Sequence, residues 1–438
     1  MRAVSAVERQ TMAKVYLRLL PFCFMLYFIC YLDRANIGFA ALTMNKDLAL
    51  SGYVYGLGAG AFFWGYFILE VPSNLILEKV GARLWIGRIM ISWGLVSGAF
   101  AFTQGPISFF CLRFSLGLAE AGFFPGMILY FTYWFPPLYR ARIVAGFMAA
   151  IPVSLGLGAP LSTAFLQLDG LFGLAGWKWL FLGEAVPAVV FGFLCFVYLP
   201  DRPSDVRWLN GEEKAWLDGE MRREKATVAT GRHFSVLQTL WNPRVLALAA
   251  IHFGQAAVSV GLAVFSAQII KSMGLTIMQT GFTTSIPYIF GTLGMILWGN
   301  YSDRKNERRW NLTGSCSVMA IGCLLAGLFA GTWLSVVGLS LMTIGLYAGN
   351  AHLFPLPSVF LTGPALASGI AWVNSVGILG GSVSPPIMGW LRDYTGSYAG
   401  GLYALAGFAV MAAVVSAVCV RETPVARVGA PALAAADD

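Results

Sequence analysis

About twelve stretches of some 20 apolar residues run along this 438-residue chain. Each is as long as a helix must be to cross a hydrocarbon core of about 30 Å. Inside lipid a backbone has to satisfy its own polar groups, so such stretches are expected to be helices. Only 11% of residues are charged, against about 25% in soluble domains. A soluble enzyme, a disordered tail and a secreted disulfide domain are thereby excluded. The net charge of +8 is not a nucleic-acid stripe, because the basic residues fall in short loops between apolar runs.

Those loops set the orientation. One side carries Lys79 and Arg83, Arg140 and Arg142, and Arg304, Lys305, Arg308 and Arg309. A long central loop adds Arg202, Arg207, Lys214, Arg222, Arg223, Lys225 and Arg232, whereas the other side has only Lys46, Lys178, Lys271 and Arg392. Cytoplasmic loops concentrate Lys and Arg, so both termini are expected inside. The first span, preceded by Arg2, Arg9, Lys14 and Arg18, is too long for a signal peptide and reads as an uncleaved helix. The expected class is an all-α membrane protein with twelve helices in two pseudo-symmetric six-helix bundles around a central cavity. The expected organisation is a bundle over 1–200, a cytoplasmic loop over 201–243, a bundle over 244–421 and a cytoplasmic tail over 422–438. The seven cysteines lie in apolar runs without a CxxC pair, and read as packing thiols rather than metal or redox groups.

The halves match at a constant offset of 225 residues. Gly56 falls on Gly281, Glu78 on Asp303, Lys79 on Arg304, Arg83 on Arg308, Trp85 on Trp310, Gly156 on Gly381 and Pro160 on Pro385. Two parallel repeats facing each other across a cavity are a transporter plan.

On these residues the chain resembles the major facilitator superfamily. That family's loop signature is G-x-x-x-D-[RK]-x-G-x-[RK]. Here it reads Asn74 to Arg83, with Glu78, Lys79, Gly81 and Arg83 in register, and again Gly299 to Arg308, with Asp303, Arg304 and Arg308. The resemblance implies that these loops gate the cytoplasmic side. The stretches Tyr31-Leu-Asp-Arg-Ala-Asn-Ile-Gly38, Glu70-Val-Pro-Ser-Asn74 and Arg113 to Pro125 are similar to the anion:cation symporter branch, whose bacterial members include tartrate-type and aromatic-acid-type permeases.

Ionisable residues inside a bilayer are costly, and each is a functional hypothesis. Asp33, Arg34, Arg113 and Glu120 lie deep in spans, with Glu70 and Glu184 nearer the ends; all six are in the first half. The second-half spans offer neutral groups instead: His252, Gln255, Gln268, Asn350, His352 and Asn374. Arg113 and Glu120 are seven residues apart, which returns to within about 20° of one helix face. Either packing partners neutralise them, or Arg113 holds an anion or the Asp33 charge while Glu120 takes a proton. Arginine suits the first role because it stays charged and grips a carboxylate with two parallel hydrogen bonds. Tyr27, Tyr31 and Arg34 share a face, as a carboxylate seat or as core aromatics.

The resemblance to proton-coupled relatives implies Asp33 and Glu120 as protonation sites. It implies Arg34, Arg113, Tyr31, Tyr66 and Asn374 as substrate ligands. His352 stands where relatives carry a small residue, as a ligand or a packing histidine. Ala149-Ala-Ile-Pro152 replaces a polar glutamine of the relatives, which weighs against a sugar acid. The expected activity is import of a small organic anion, a tartrate-like or aromatic carboxylate, by proton symport and alternating access. The expected setting is a monomer in the inner membrane, without cofactor, metal or nucleic acid. An exchanger or drug antiporter of the same fold is the alternative, because Gly156-Leu-Gly158-Ala-Pro160 partly resembles an antiporter signature. A membrane-embedded enzyme would need a nucleophile or metal cluster that three scattered histidines do not supply.

Overall fold

The computed structural model describes residues 5–229, 240–305, 307–361 and 363–420. Arg232, the expected tail over 422–438, and the side chains of Asp303 and Arg304 lie outside the described residues. Among the described residues every regular element is a helix. The first half contains α1 (Ala6–Asp47), α2 (Gly52–Val80), α3 (Ala82–Ala99), α4 (Pro106–Glu120), α5 (Phe123–Trp134), α6 (Pro137–Met148), α7 (Ala150–Leu166) and α8 (Gly176–Tyr198). A surface helix, α9 (Gly211–Ala229), follows. The second half contains α10 (Pro243–Lys271), α11 (Ile277–Lys305), α12 (Arg309–Leu328), α13 (Trp333–Leu353), the short α14 (Pro357–Phe360), α15 (Gly363–Ile378), α16 (Gly380–Thr395) and α17 (Ala399–Cys419).

Ten helical stretches among the described residues are long and apolar enough to cross a membrane. In these, α4 runs on into α5 and α6 into α7. Two further rods, α11 and the end-to-end pair α15 and α16, complete two bundles of six. The starts are set by local chemistry. Ser5, Ser51 and Asn242 each accept a hydrogen bond from a first-turn N–H, at 3.1, 3.2 and 2.9 Å. The span from Pro106 to Trp134 kinks after Glu120. Pro125 has no N–H for the Ala121 carbonyl, and Gly122 takes a left-handed φ of +84° that only glycine adopts at little cost.

The halves meet along three seams: α2 on α16, α7 on α11, and α1 on α10. The first two are related by the internal repeat. A Cβ on Gly56 would strike the Pro385 carbonyl, and one on Gly60 would lie 2.6 Å from the Ser382 carbonyl. One on Gly281, the counterpart of Gly56, would lie 2.9 Å from the carbonyl of Ala159, the neighbour of Pro160. The matched glycines and prolines are therefore where helix backbones touch across the molecule. At the end of α2 remote from the basic loop, Asp393 accepts the N–H groups of Gly52 and Tyr53 at 2.9 and 2.8 Å. The Tyr55 hydroxyl sits 3.0 Å from the carbonyls of both Ile37 and Val264. These bonds tie the two halves together at the face opposite the basic loops.

Helix α9 is tied to the first half. Asn210 and Glu213 cap its start reciprocally, at 2.8 and 2.9 Å, and Lys14 of α1 reaches the same carboxylate at 2.6 Å. Burial opposes ionisation of Glu213, but the hydrogen bonds from Lys14 and the Asn210 N–H outweigh it and hold the carboxyl below its ordinary range.

Candidate transport cavity

A cavity of about 230 Å³ lies between the two bundles and is walled by both. Its first-half wall is built on α1. Tyr27, Tyr31 and Arg34 follow at helical spacing and all three line the cavity. Asp33 is one step, about 100°, round the helix and faces the bundle interior instead. There Asn36 donates to it at 3.0 Å and the Ser97 hydroxyl donates from α3, while its second oxygen has no partner.

Arg34 donates from Nε to Glu120 Oε1 at 2.5 Å, and the Cys30 thiol reaches the same oxygen at 3.2 Å. The helix break after Glu120 places this carboxylate at the end of α4. The Arg34 guanidinium is boxed by the rings of Tyr31, Phe62 and Tyr66, at 5.3, 5.5 and 5.3 Å. The Arg113 guanidinium lies 5.1 Å from the same Phe62 ring. It donates to the Ala59 carbonyl at 3.4 Å, and its buried Nε has no partner. Among the described residues no carboxylate lies within salt-bridge distance of Arg113. Arg113 lines the cavity and makes no salt bridge to Asp33, whose hydrogen-bond partners are Asn36 and Ser97.

The second-half wall contributes no acid, Lys or Arg; its polar members include His252, Gln255, Tyr288, Asn350 and Asn374, set among apolar side chains. Asn374 also crosses to the first half. Its Nδ2 donates to Glu70 Oε1 at 3.0 Å, and the Ser375 hydroxyl donates to Glu70 Oε2 at 3.1 Å. His352 does not line the cavity; it is buried with its ring 6.2 Å from Trp298 of α11. His252 occupies the wall in its place. Sequence reasoning grouped His252 with the neutral polar residues, and nothing local separates it from His352: both sit in apolar spans, and only the rotation of each helix decides which faces the cavity. Glu184, also buried, accepts from Ser162 at 2.7 Å within the first bundle.

The loop residues are positioned differently. Glu78 and Lys79 are exposed. Gly81 turns the chain between α2 and α3 with φ +94°. Asp201, at the start of the central segment, accepts the Arg83 N–H at 2.8 Å and lies 3.8 Å from its Nε. In the second copy Glu307 caps α12 through the N–H groups of Trp310 and Asn311, at 2.6 and 3.0 Å, and Arg308 is the residue preceding that helix. Asp201 and Glu307 were not singled out from sequence, although an acid beside a helix start is a capping signal.

Residues 23–363 match the family model described as Major Facilitator Superfamily. A protein of Agrobacterium vitis named "Putative tartrate transporter" is 49% identical over 96% of this chain and 97% of its own length. A "Quinolone resistance transporter" of Acinetobacter baumannii is 41% identical over 91% and 92%. The "Inner membrane transport protein RhmT" of Escherichia coli K12 is 38% identical over 91% and 92%. Among solved structures, a bacterial homologue of the lysosomal transporter Spinster, inward-facing and unoccupied, superposes with a TM-score of 0.74 at 17% identity, covering 92% of this chain and 97% of that one. A D-xylose–proton symporter gives 0.71 at 16%, covering 93% and 98%.

Proposed function

Because the chain belongs to the Major Facilitator Superfamily and is a secondary transporter of small organic solutes, we propose that it imports a small carboxylate together with protons. The observation that carries this reading is the arrangement of the two cavity arginines: Arg34 is held by Glu120, while Arg113 is engaged by no carboxylate among the described residues. A cargo anion entering the cavity meets Arg113 first. Its second acidic end, or the same carboxylate moving deeper, then competes with Glu120 for Arg34. Two guanidiniums flanking one phenyl ring favour a dicarboxylate, in keeping with the name of the Agrobacterium relative.

A buried carboxylate that loses its arginine cannot stay charged cheaply, so Glu120 takes a proton as the cargo takes Arg34. Substrate and proton loading then help each other, as linkage requires. Asp33, hydrogen-bonded only by neutral partners, holds a second proton inside the first bundle. Tyr31, Tyr66 and Asn374 orient the cargo. The bundles over 1–200 and 244–421 rock about the load, joined by 201–243, and the loops around Gly81 and Arg308 close the cytoplasmic side. The protein works as a monomer.

The test is uptake into proteoliposomes with a pH-sensitive dye in the lumen. With tartrate and a panel of other carboxylates outside, the expected result is luminal acidification that follows cargo entry. Accumulation only into vesicles preloaded with a second anion would overturn symport and make the protein an exchanger. Export of an aromatic drug is the second reading, favoured by the aromatic wall (Tyr27, Phe62, Phe124, Phe354) and the name of the Acinetobacter relative. It predicts that quinolones, and not tartrate or the other small carboxylates of the panel, move protons across the vesicle membrane.

A further inference from the structure

Glu70 is a buried carboxylate to which none of the roles above is assigned. It is 5% exposed and stands one turn from Tyr66 on α2. It makes the innermost hydrogen bonds that α2 sends to the second half among the described residues. Nearer the opposite face, α2 packs on α16 largely backbone against backbone, with Asp393 accepting two N–H groups of α2; here α2 meets α15 through side chains, one acid accepting from two neutral donors. Beyond Glu70, α2 continues ten residues to Val80 at the basic loops. The carboxylate therefore stands between the cavity and the cytoplasmic mouth.

One of its two donors is also a cavity residue. The Asn374 Nδ2 that bonds Glu70 belongs to a side chain on the cavity wall. The groups acting on Glu70 from the packed elements are few. Among the described residues, Arg34 of α1 is the one cation acting on it, and it is already bonded to Glu120; Tyr66 is on its own helix; α15 presents Asn374 and Ser375; behind Asn374 stands His252 of α10.

Resting on the proton–anion reading above, we propose that Glu70 is the latch of the cytoplasmic gate and a third coupling carboxylate. A cargo carboxylate that engages Asn374 brings a like charge against Glu70. Two adjacent buried carboxylates cannot both remain ionised, so Glu70 takes a proton from the cavity. A protonated acid accepts less well than a carboxylate, and the two bonds to α15 weaken together. The gate then opens once Glu70 is protonated, and cargo at Asn374 favours that protonation.

The latch has a readout that needs no cargo. Ser259 lines the cavity on α10. In a chain carrying Ser259→Cys, with the exposed Cys111 and Cys419 changed to serine, the new thiol is labelled by a membrane-impermeant maleimide in inside-out vesicles. Rates are corrected for the pH dependence of the reagent with a free thiol. The expected corrected rate is slow at pH 8 and rises on acidification. Glu70→Gln is expected to label about tenfold faster at pH 8, the shift that one lost charged hydrogen bond gives, and to be flat with pH. The pair Asn374→Ala and Ser375→Ala, which removes the donors and keeps the acid, is expected to label as fast as Glu70→Gln. Equal rates in the parent and Glu70→Gln, or a slow Asn374→Ala/Ser375→Ala chain, overturn the latch. Absence of cargo-linked acidification in the proteoliposome assay overturns the symport reading instead and leaves the labelling result standing.

Discussion

The two bundles have matched backbones and unmatched chemistry. The first carries Asp33, Arg34, Glu70, Arg113, Glu120 and Glu184 in its spans, and the second faces the same cavity with histidine, amides and hydroxyls. Gly56 and Gly281 do the same structural work in each copy, but no second-half residue answers Arg34 or Glu120. The difference teaches that the repeat was kept for the seams, where backbone must approach backbone, and not for the site. Ion handling is concentrated in one bundle, and the other contributes shape and hydrogen bonds. A single bundle can then rearrange its charges while the neutral bundle moves past without dragging a counter-charge through lipid.

Removing a cavity arginine should break this asymmetry most severely. Arg34→Ala leaves Glu120 buried without its cation, a loss of about 3–5 kcal/mol, and uptake should vanish while the chain still inserts. Arg113→Ala should abolish uptake as well; a normal apparent affinity in radiolabelled tartrate uptake would remove it from the anion seat. Asp33→Asn comes next. It should eliminate accumulation driven by a proton gradient but retain exchange of cargo at equilibrium, and full accumulation by this variant would end its proton role.

The neutral bundle predicts smaller changes. His252→Phe should weaken apparent affinity by about tenfold, one hydrogen bond to a charged cargo, whereas His352→Phe should leave both affinity and its pH dependence unchanged. Equal losses in the two would place both histidines at the cargo. The smallest effect concerns α9. The Glu213 carboxyl is held below its ordinary range, so its tie to Lys14 is intact at neutral pH and is lost as pH falls through that lowered range. Glu213→Gln should lower the thermal midpoint slightly at pH 7, lose that difference in acid, and leave uptake untouched; a changed uptake rate would give α9 a part in transport.

The twelve-helix plan was legible because hydrophobic length and loop charge are local signals. Ile107–Phe135 reads as one span by apolar length, and it is one, but its kink at Gly122 and Pro125 was not read from sequence. The pairing within the site was not legible either. Arg34 and Glu120 are 86 residues apart, and helical spacing tied Glu120 to Arg113 instead. Spacing states which residues share a face of one helix, never which face meets a neighbour. The same gap hid the bridge from Glu70 to Asn374, which joins halves 304 residues apart, and exchanged the places of His252 and His352. Asp201, which anchors the Arg83 loop, falls at a segment boundary where apolar periodicity has stopped.

The glycine seams carry one further consequence. A carbonyl fixed in a helix cannot swing aside as a side chain does, and Gly56 and Gly60 rest against carbonyls. Such a surface has no graded yielding: it parts along its whole length or stays shut. Outward exposure of the cavity is therefore a threshold event, and water and protons find no leak path through a half-parted wall.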